Sequence, residues 1–220
     1  MKLISLNIGQ RRTQQNGGKQ ETTGIYKLPV QGKVTITSLG IVEDFIGSPK
    51  HHGGPDQAVY VYTLDDYDWW SKELGRDLAP GTFGDNLTIR GLDNAHVNIG
   101  DRLILGDVIL EVSAPRIPCS TLATRMNDPQ FVKRYRAAER PGLYCRVIAE
   151  GEIEAGVEAT VQRSAGEAVG TIEVFRDWYE NDKDEATLRR FLRAPVAIRV
   201  RKKLESQLER LLADKEGSEA

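Results

Sequence analysis

The sequence predicts a mainly β protein that ends in a small helical unit, and three observations lead to this prediction. Short runs of β-branched residues separated by glycines continue to residue 162, which is typical of a barrel or sandwich with tight turns. After Gly170 the apolar spacing changes to the period of a helix. Residues 163–170, between these regions, are small and polar, and we interpret them as a linker.

These boundaries predict a β-barrel domain over 1–162, a linker over 163–170, a three-helix unit over 171–214 and a frayed tail over 215–220. Gly106 opens a two-residue turn that joins two strands as a hairpin, and Tyr26-Lys-Leu-Pro29 is extended. The predicted strands cover 3–8, 34–37, 58–62, 86–89, 102–105, 108–112, 144–148 and 153–161.

Two helices interrupt the predicted β domain. The segment 64–74 carries aromatic side chains at helical spacing and ends at Gly75, so its aromatics are expected in the core. Asp128 and Pro129 begin the second helix as cap and first residue, and it should run to about Glu139. Its basic face could guide an anion or an electron-donor protein. The residues of this face are Lys133, Arg134, Arg136 and Arg140.

The C-terminal unit is predicted to contain three short amphipathic helices. Ile172 and Phe175 lie on the first helix, Asp182 and Glu185 form a capping box for the second, and Pro195 opens the third. A unit of this size is only marginally stable alone. We therefore expect it to dock on the β domain or on a second subunit, which is compatible with a homodimer.

Composition excludes several classes of function. The 220 residues include 30 basic and 32 acidic ones, a net charge of −2, so the overall balance points neither to nucleic acid nor to a membrane surface. The two cysteines, Cys119 and Cys145, form neither a disulfide framework nor a zinc module. We find no signal peptide and no apolar run of the roughly 20 residues that span a bilayer. We expect a soluble cytoplasmic protein.

The segment Ser113-Ala-Pro-Arg-Ile-Pro-Cys119 is the first candidate site. Its two prolines fix the path of the chain as it leaves a strand, and this path aims the thiol of Cys119. Arg116 would favour the thiolate, the form that attacks electrophiles and binds soft metals. The alternative is an inert packing cysteine. Cys145, inside a predicted strand, is expected to be structural.

The segment Lys50-His-His-Gly-Gly-Pro-Asp-Gln57 is the second candidate. Glycines such as Gly53 and Gly54 let a backbone approach a ligand, and their N–H groups can hold an anion. Adjacent histidines cannot both face one metal from a regular element, so we expect His52 to point inward. Alternatively, both histidines are ordinary polar loop residues.

Two weaker signals complete the set of candidates. Asp85 and Asn86 end the loop Gly81-Thr-Phe-Gly-Asp-Asn-Leu87, and they could bind the polar edge of a heterocycle or simply cap a turn. Lys27 is a lone positive charge in an extended segment.

These motifs, in this order, resemble the MOSC domain, named after the C-terminal domain of molybdenum cofactor sulfurase. The resemblance covers nearly the whole chain and is greatest for the bacterial YiiM-type branch, in which three helices follow the barrel. The motifs that carry it are Ile25-Tyr-Lys-Leu-Pro-Val30, His52-Gly-Gly-Pro-Asp-Gln-Ala-Val-Tyr60, Gly81-Thr-Phe-Gly-Asp-Asn-Leu87, Ile99-Gly-Asp-Arg102 and Pro115-Arg-Ile-Pro-Cys119.

The resemblance implies a mixed β-barrel and a bound molybdenum cofactor (molybdopterin) whose metal is held by Cys119. It also implies detoxification by two-electron reduction of small N-hydroxylated substrates such as N-hydroxylated bases. Lys27, Arg116 and the turn of Gly53 and Gly54 could then hold the pterin phosphate. His52 could deliver protons because the pKa of an ordinary histidine lies near neutrality.

The electrons would have to come from a separate reductase protein, because the sequence has no iron–sulfur, haem or nicotinamide motif. One segment departs from the family pattern. Where this branch has Leu-Gly-x-x-Gly-Asp, the chain reads Leu39-Gly-Ile-Val-Glu-Asp44, with Glu43 in the glycine position. The resemblance therefore implies nothing about the contacts that this loop makes in the present chain.

Two other functions stay open from the sequence. Cys119 could carry the cofactor or a sulfane sulfur for another enzyme, which needs an exposed thiol of low pKa. Alternatively, Cys119 as nucleophile, His52 as base and Lys27 as electrostatic helper could form a metal-free enzyme. The remaining alternative to these functions is a barrel in which the thiol of Cys119 has no chemical role.

Overall fold

The computed structural model describes residues 1–181 and 183–218, and it has a mixed, sheet-rich fold. The strands are β1 (Lys2–Gly9), β2 (Arg12–Asn16), β3 (Lys19–Thr23), β4 (Lys27–Pro29), β5 (Val34–Thr37), β6 (Gly40–Ile41), β7 (Val59–Thr63), β8 (Leu87–Arg90), β9 (Arg102–Leu105), β10 (Val108–Pro115), β11 (Leu143–Ala149), β12 (Gly151–Ile153) and β13 (Ala159–Gln162). The helices are α1 (Pro49–His52), α2 (Leu64–Leu74), α3 (Ser120–Met126), α4 (Phe131–Ala138), α5 (Thr171–Asp177), α6 (Glu185–Arg193) and α7 (Ile198–Ser218).

One large sheet organises the molecule. Its strand order is β13-β9-β10-β11-β7-β8-β1-β4, with the β7–β8 pair parallel and the other pairs antiparallel. A smaller sheet has the order β12-β5-β6, and β2 and β3 form a separate hairpin. The predicted hairpin of β9 and β10 is confirmed, and Gly106 has the positive φ (61°) that its turn requires.

The large sheet curls without closing. The N-terminal residues of the chain also form hydrogen bonds with the segment 157–159, at and just before the start of β13. Leu3 N–H donates to the carbonyl of Val157 (3.0 Å), and Ala159 N–H donates to that of Met1 (3.1 Å). The edge strands β13 and β4, however, do not pair with each other in the described ranges. The prediction of a closed barrel is therefore not confirmed, whereas a sheet-rich mixed fold is.

Aromatic side chains fill the core between the sheet and helices α2 and α4. The rings of Trp70 and Tyr135 stack at 5.9 Å, and Phe83 and Phe131 pack beside them. The helix over 64–74 has the predicted bounds, ends at Gly75 in the left-handed conformation and places Trp70 fully inside. The predicted role of these aromatics in the core is confirmed.

Helices α4, α6 and α7 begin later than the sequence analysis predicts, and α7 begins at Ile198 and not at Pro195. Helix α4 begins at Phe131, because residues from Asp128 form a separate turn closed by the Phe131 N–H donating to the Asp128 carbonyl (3.0 Å). Helix α6 begins at Glu185, and its cap is Asp184, which accepts from the Thr187 N–H at 2.8 Å. The predicted cap, Asp182, lies outside the described residues.

The C-terminal helices pack on the sheet. Ala197 N–H donates to the carbonyl of Ser113 (2.8 Å), and Ile198 N–H donates to the carboxylate of Asp56 (2.6 Å). Helix α7 extends to Ser218, so the predicted tail is helical from 215 to 218, and residues 219–220 lie outside the described residues. No helix in the described ranges has the length and apolar character needed to cross a bilayer.

Candidate functional site

A pocket with a cavity volume of about 110 Å³ gathers most of the candidate residues. Lys27, His52, Asn86, Arg116 and Cys119 all line it, although up to 92 positions separate them in the sequence. The fold therefore brings these five candidates to one place.

Lys27 forms a buried ion pair in this pocket. Its ammonium group donates to both carboxylate oxygens of Asp44, and the two side chains are only 8% and 4% exposed. Asp44 also accepts from the backbone N–H of Gly9 (2.7 Å) and from the side-chain amide of Asn86 (2.9 Å). Burial lowers the pKa of Lys27, and the charge of Asp44 opposes this effect. The sequence analysis did not identify Asp44 as a site residue.

The backbone at Glu43 presents Asp44 to Lys27. Glu43 has a φ of 72°, the left-handed conformation that glycine adopts most readily, and its side chain is exposed. This is the position at which the sequence departs from the family's glycine. The chain keeps the turn despite the substitution, at a conformational cost of about 1 kcal/mol.

Arg116 is a buried cation without a carboxylate partner in the described part of the chain. It is 4% exposed, donates to the carbonyl of Phe83 and lies over the ring of Tyr60, 5.0 Å from its centroid. Its Nε is buried and has no hydrogen-bond partner. A buried charge is costly unless it is paired, so this guanidinium is suited to binding an anion in the pocket.

His52 is neutral at pH 7 in this structure. Burial, followed by the charges of Arg116 and Arg199, lowers the pKa of His52 to about 4. Its Nδ1 lies 3.0 Å from the hydroxyl of Tyr144. The expectation of a pKa near neutrality is therefore wrong for this site without a bound anion. His51, its neighbour, is exposed.

Cys119 stands at the N-terminus of α3, a helix that the sequence analysis missed. The thiol is half-buried in the pocket, and its residue has an extended backbone with φ −129° and ψ 169°. Burial alone would lower the pKa of Arg116, but its neighbours Tyr144, Tyr60 and Cys119 raise it. Cys145, in contrast, is fully buried in β11 and burial raises the pKa of its thiol, as expected for a structural cysteine.

The remaining candidates have different positions. Asp85 is fully buried below the pocket, where it accepts from the hydroxyls of Tyr67 (2.5 Å) and Thr88 (2.6 Å), and burial raises its pKa. It supports the loop and does not line the pocket. Gly53 and Gly54 follow α1 and also lie outside the lining.

The basic face of α4 is partly neutralised by ion pairs. Arg134 pairs with Asp128 (3.1 Å) and Glu73 (3.4 Å), and Arg140 pairs with the buried carboxylate of Asp66. Arg136 lies over the ring of Tyr179 at 4.1 Å. Lys133 and Arg136 form no ion pair in the described ranges, so the role of this face as a guide for a donor protein or an anion stays a prediction.

No group of three or more histidine, cysteine or carboxylate side chains that could hold a metal occurs among the described residues. A metal ion in the pocket would therefore take Cys119 as a single protein ligand and most of its ligands from a cofactor. The soft sulfur of Cys119 and the buried Nε of Arg116, which has no hydrogen-bond partner in the described residues, suit the chemistry of a molybdenum–pterin group, which carries sulfur ligands and an anionic phosphate.

Comparisons with known proteins give the same family as the sequence motifs. The defining sequence pattern of the MOSC domain matches residues 48–160. The uncharacterized protein YflK from Bacillus subtilis (strain 168) is 32% identical over 190 residues, 86% of each chain. A protein named reductase from Gibberella moniliformis (strain M3125 / FGSC 7600) is 35% identical over 155 residues, which cover 69% of this chain but only 27% of the reductase.

The crystal structure of YiiM from Geobacillus stearothermophilus superimposes on this fold with a TM-score of 0.78 and 27% sequence identity, covering 93% of this chain and 97% of that one. The chain therefore belongs to the MOSC family. Because the likeness to YiiM extends over almost the whole of both chains, including the C-terminal helices, it is a YiiM-type member of that family.

Proposed function

We propose that the protein is a molybdenum-cofactor-dependent reductase of small N-hydroxylated compounds, such as N-hydroxylated nucleobases. One observation carries the proposal. A half-buried thiol, Cys119, and a buried guanidinium, Arg116, which has no carboxylate partner in the described ranges, line the same pocket. Membership of the MOSC family and the likeness to a protein named reductase support it.

Each pocket residue has a role in this proposal. Cys119 would hold the metal through its sulfur, and Arg116 would bind the phosphate. Lys27 is already neutralised by Asp44, so this pair would shape the pocket and contribute little net charge to anion binding. Asn86 orients Asp44 through its amide and is itself fixed by the backbone N–H of Tyr60 (3.1 Å).

His52 and Tyr144 would move the proton in the reaction. When bound, the cofactor would supply the two-electron chemistry R–NHOH + 2 e⁻ + 2 H⁺ → R–NH₂ + H₂O. A neutral imidazole has one N–H and one acceptor nitrogen, and Nδ1 of His52 is hydrogen-bonded to the Tyr144 hydroxyl. His52 can therefore take a proton at one nitrogen while it releases one at the other. An anion beside Arg116 would raise the pKa of His52 and favour this role.

Molybdenum content and pterin fluorescence would test the proposal directly. Wild-type protein from a host that makes the cofactor should contain both near stoichiometry, and Cys119→Ser should lose the metal. Cys145→Ser is the matched control, because that thiol is outside the pocket. Turnover of an N-hydroxylated base by the loaded wild type completes the test.

Other results of these measurements would favour another function. If carefully purified and reconstituted wild type holds neither metal nor pterin, the reductase proposal fails. Thiol-dependent activity that survives chelation would then point to the metal-free enzyme, and a persulfide on Cys119 would point to the sulfur carrier.

A further inference from the structure

Two arginines enclose the ring of Tyr26 on the surface next to the pocket. The guanidinium carbon of Arg12 lies 4.0 Å from the ring centroid, and that of Arg125 lies 4.4 Å from it. Arg12 is exposed, whereas Tyr26 and Arg125 are half-buried. Stacking on an aromatic ring fixes a guanidinium in place and leaves its N–H groups available for an incoming acceptor.

The charge of this cluster is not compensated. In the described ranges neither Arg12 nor Arg125 forms an ion pair, although other surface arginines such as Arg134 and Arg176 do. The Nε of Arg125 is buried without a partner. Burial, and then the charges of Arg12 and Arg76 among others, lowers the pKa of Arg125. Positive groups held this close together favour an anionic partner.

The same elements build the cluster and the pocket. On α3, Thr121 lines the pocket and Arg125 follows four residues later, so both lie on one face of the helix. Cys119 precedes the first turn of α3 and Arg125 lies in its last turn, and a helix of seven residues is about 10 Å long. Asn16, in the hairpin that begins with Arg12, donates to the hydroxyl of Ser120 (2.8 Å) and joins the hairpin to α3.

We infer that this Arg12–Tyr26–Arg125 cluster is the docking surface for a carboxylate-rich region of the protein that delivers electrons to the pocket. The inference rests on the proposed reductase function. That reaction consumes two electrons per turnover, so the donor is oxidised by two electrons while the N–O bond is reduced. The sequence contains no haem, iron–sulfur or nicotinamide motif to supply these electrons.

The chemistry of the cluster favours a protein over a small anion. Arginine and tyrosine are the residue types that most often dominate the binding energy of protein interfaces. The cluster is a partly exposed surface formed by β2, α3 and the loop before β4, and its three residues are not part of the pocket lining. Opposite charge on the donor would speed the encounter and fix its orientation.

Binding of a short fluorescent peptide of aspartate and glutamate residues tests the surface. Arg12→Glu, at an exposed position, should weaken binding about tenfold or more, and added salt should weaken binding to the wild type. Arg125→Gln is a second variant, and it should weaken peptide binding by a smaller factor. The matched control is Arg210→Glu on α7, an equal charge change on an exposed arginine, which should alter binding less than about twofold.

Turnover assays separate this inference from the proposed function. Reduced methyl viologen is a small cation and does not need a basic docking surface, so Arg12→Glu should retain wild-type turnover with it. The same variant should lose most of its turnover with a reduced acidic flavodoxin, and the peptide should inhibit only that assay. If Arg12→Glu binds peptide and uses flavodoxin like the wild type, the docking surface is refuted.

If wild type fails to turn over with methyl viologen, the reductase function fails, and the assignment of this surface to an electron donor falls with it. The wild type could turn over with methyl viologen but not with flavodoxin, while Arg12→Glu binds the peptide as the wild type does. That result refutes the docking surface and leaves the reductase function standing.

Discussion

Arg199, on the last helix, donates a hydrogen bond of 3.2 Å to the backbone carbonyl of His51. The C-terminal unit therefore contacts the turn that carries His52. The same guanidinium lies over the ring of Trp178, 5.6 Å from its centroid, and its charge acts on His52. A helix more than 140 positions away in the sequence thus influences the protonation of a pocket residue.

Arg199→Gln should raise the pKa of His52 above its value of about 4. Removing one exposed positive charge should raise the pKa of His52 by roughly 0.2–0.7 unit, the size of an exposed charge interaction. NMR titration of the His52 ring measures the change. Arg210→Gln, on the same helix, is the control, and an equal rise in both variants would contradict a local effect.

His52 should also make the stability of the protein depend on pH. Its pKa falls from an ordinary value of 6.5 to about 4 in the folded protein, so between these values the unfolded chain binds more protons. The free energy of unfolding should therefore decrease by about 3 kcal/mol in total as the pH falls from 6.5 through 4. Denaturant titrations at several pH values test this, and His52→Gln should remove this component. An unchanged slope in that variant would exclude His52 as its source.

Asp44→Asn should strongly destabilise the protein, because it leaves the ammonium of Lys27 buried without a partner. Breaking one side of a buried ion pair typically costs about 3–5 kcal/mol, and Lys27 can avoid part of this by losing its proton. Chemical unfolding measures the loss. Glu152→Gln breaks the pair with Lys33, whose side chains are 64% and 58% exposed, and should cost less than about 1 kcal/mol. Similar losses in the two variants would show that the burial of Lys27 is unimportant.

Glu43→Gly should stabilise the protein by about 0.5–1 kcal/mol. Glycine removes the strain of a φ of 72°, and the greater freedom of glycine in the unfolded chain offsets part of the gain. Thermal unfolding measures the difference. Glu43→Ala keeps a Cβ and should not gain stability, so equal effects of glycine and alanine would argue against relief of backbone strain.

The sequence predicted those elements whose signal is local. Helix α2 has its predicted bounds because aromatic residues at helical spacing precede a glycine terminator. The hairpin of β2 and β3 was missed, since its strands, from Arg12 and Lys19 onward, are polar on both faces and lack apolar alternation. Helix α3 was missed because seven residues after a proline give little periodicity.

The candidate site was predictable in its residue types but not in its electrostatics. The motifs identified the thiol of Cys119 and the guanidinium of Arg116 because each lies in a distinctive local sequence. The partner of Lys27 lies 17 positions away and depends on how the chain folds across β1 and the turn after β6. The low pKa of His52 arises from burial and from two distant arginines, which only the folded structure brings together.

Both the large sheet and the pocket use residues that precede the segment matched by the family pattern. Residues 48–160 carry the family pattern, yet β1 and β4 precede them, and β1 lies between β8 and β4 in the large sheet. A protein fragment cut at these limits would expose the free edge of β8 and would lack both Lys27 and Asp44. The segment that matches the family pattern is therefore shorter than the segment that completes the sheet and the pocket. Fusion proteins that use this domain should keep the first 47 residues.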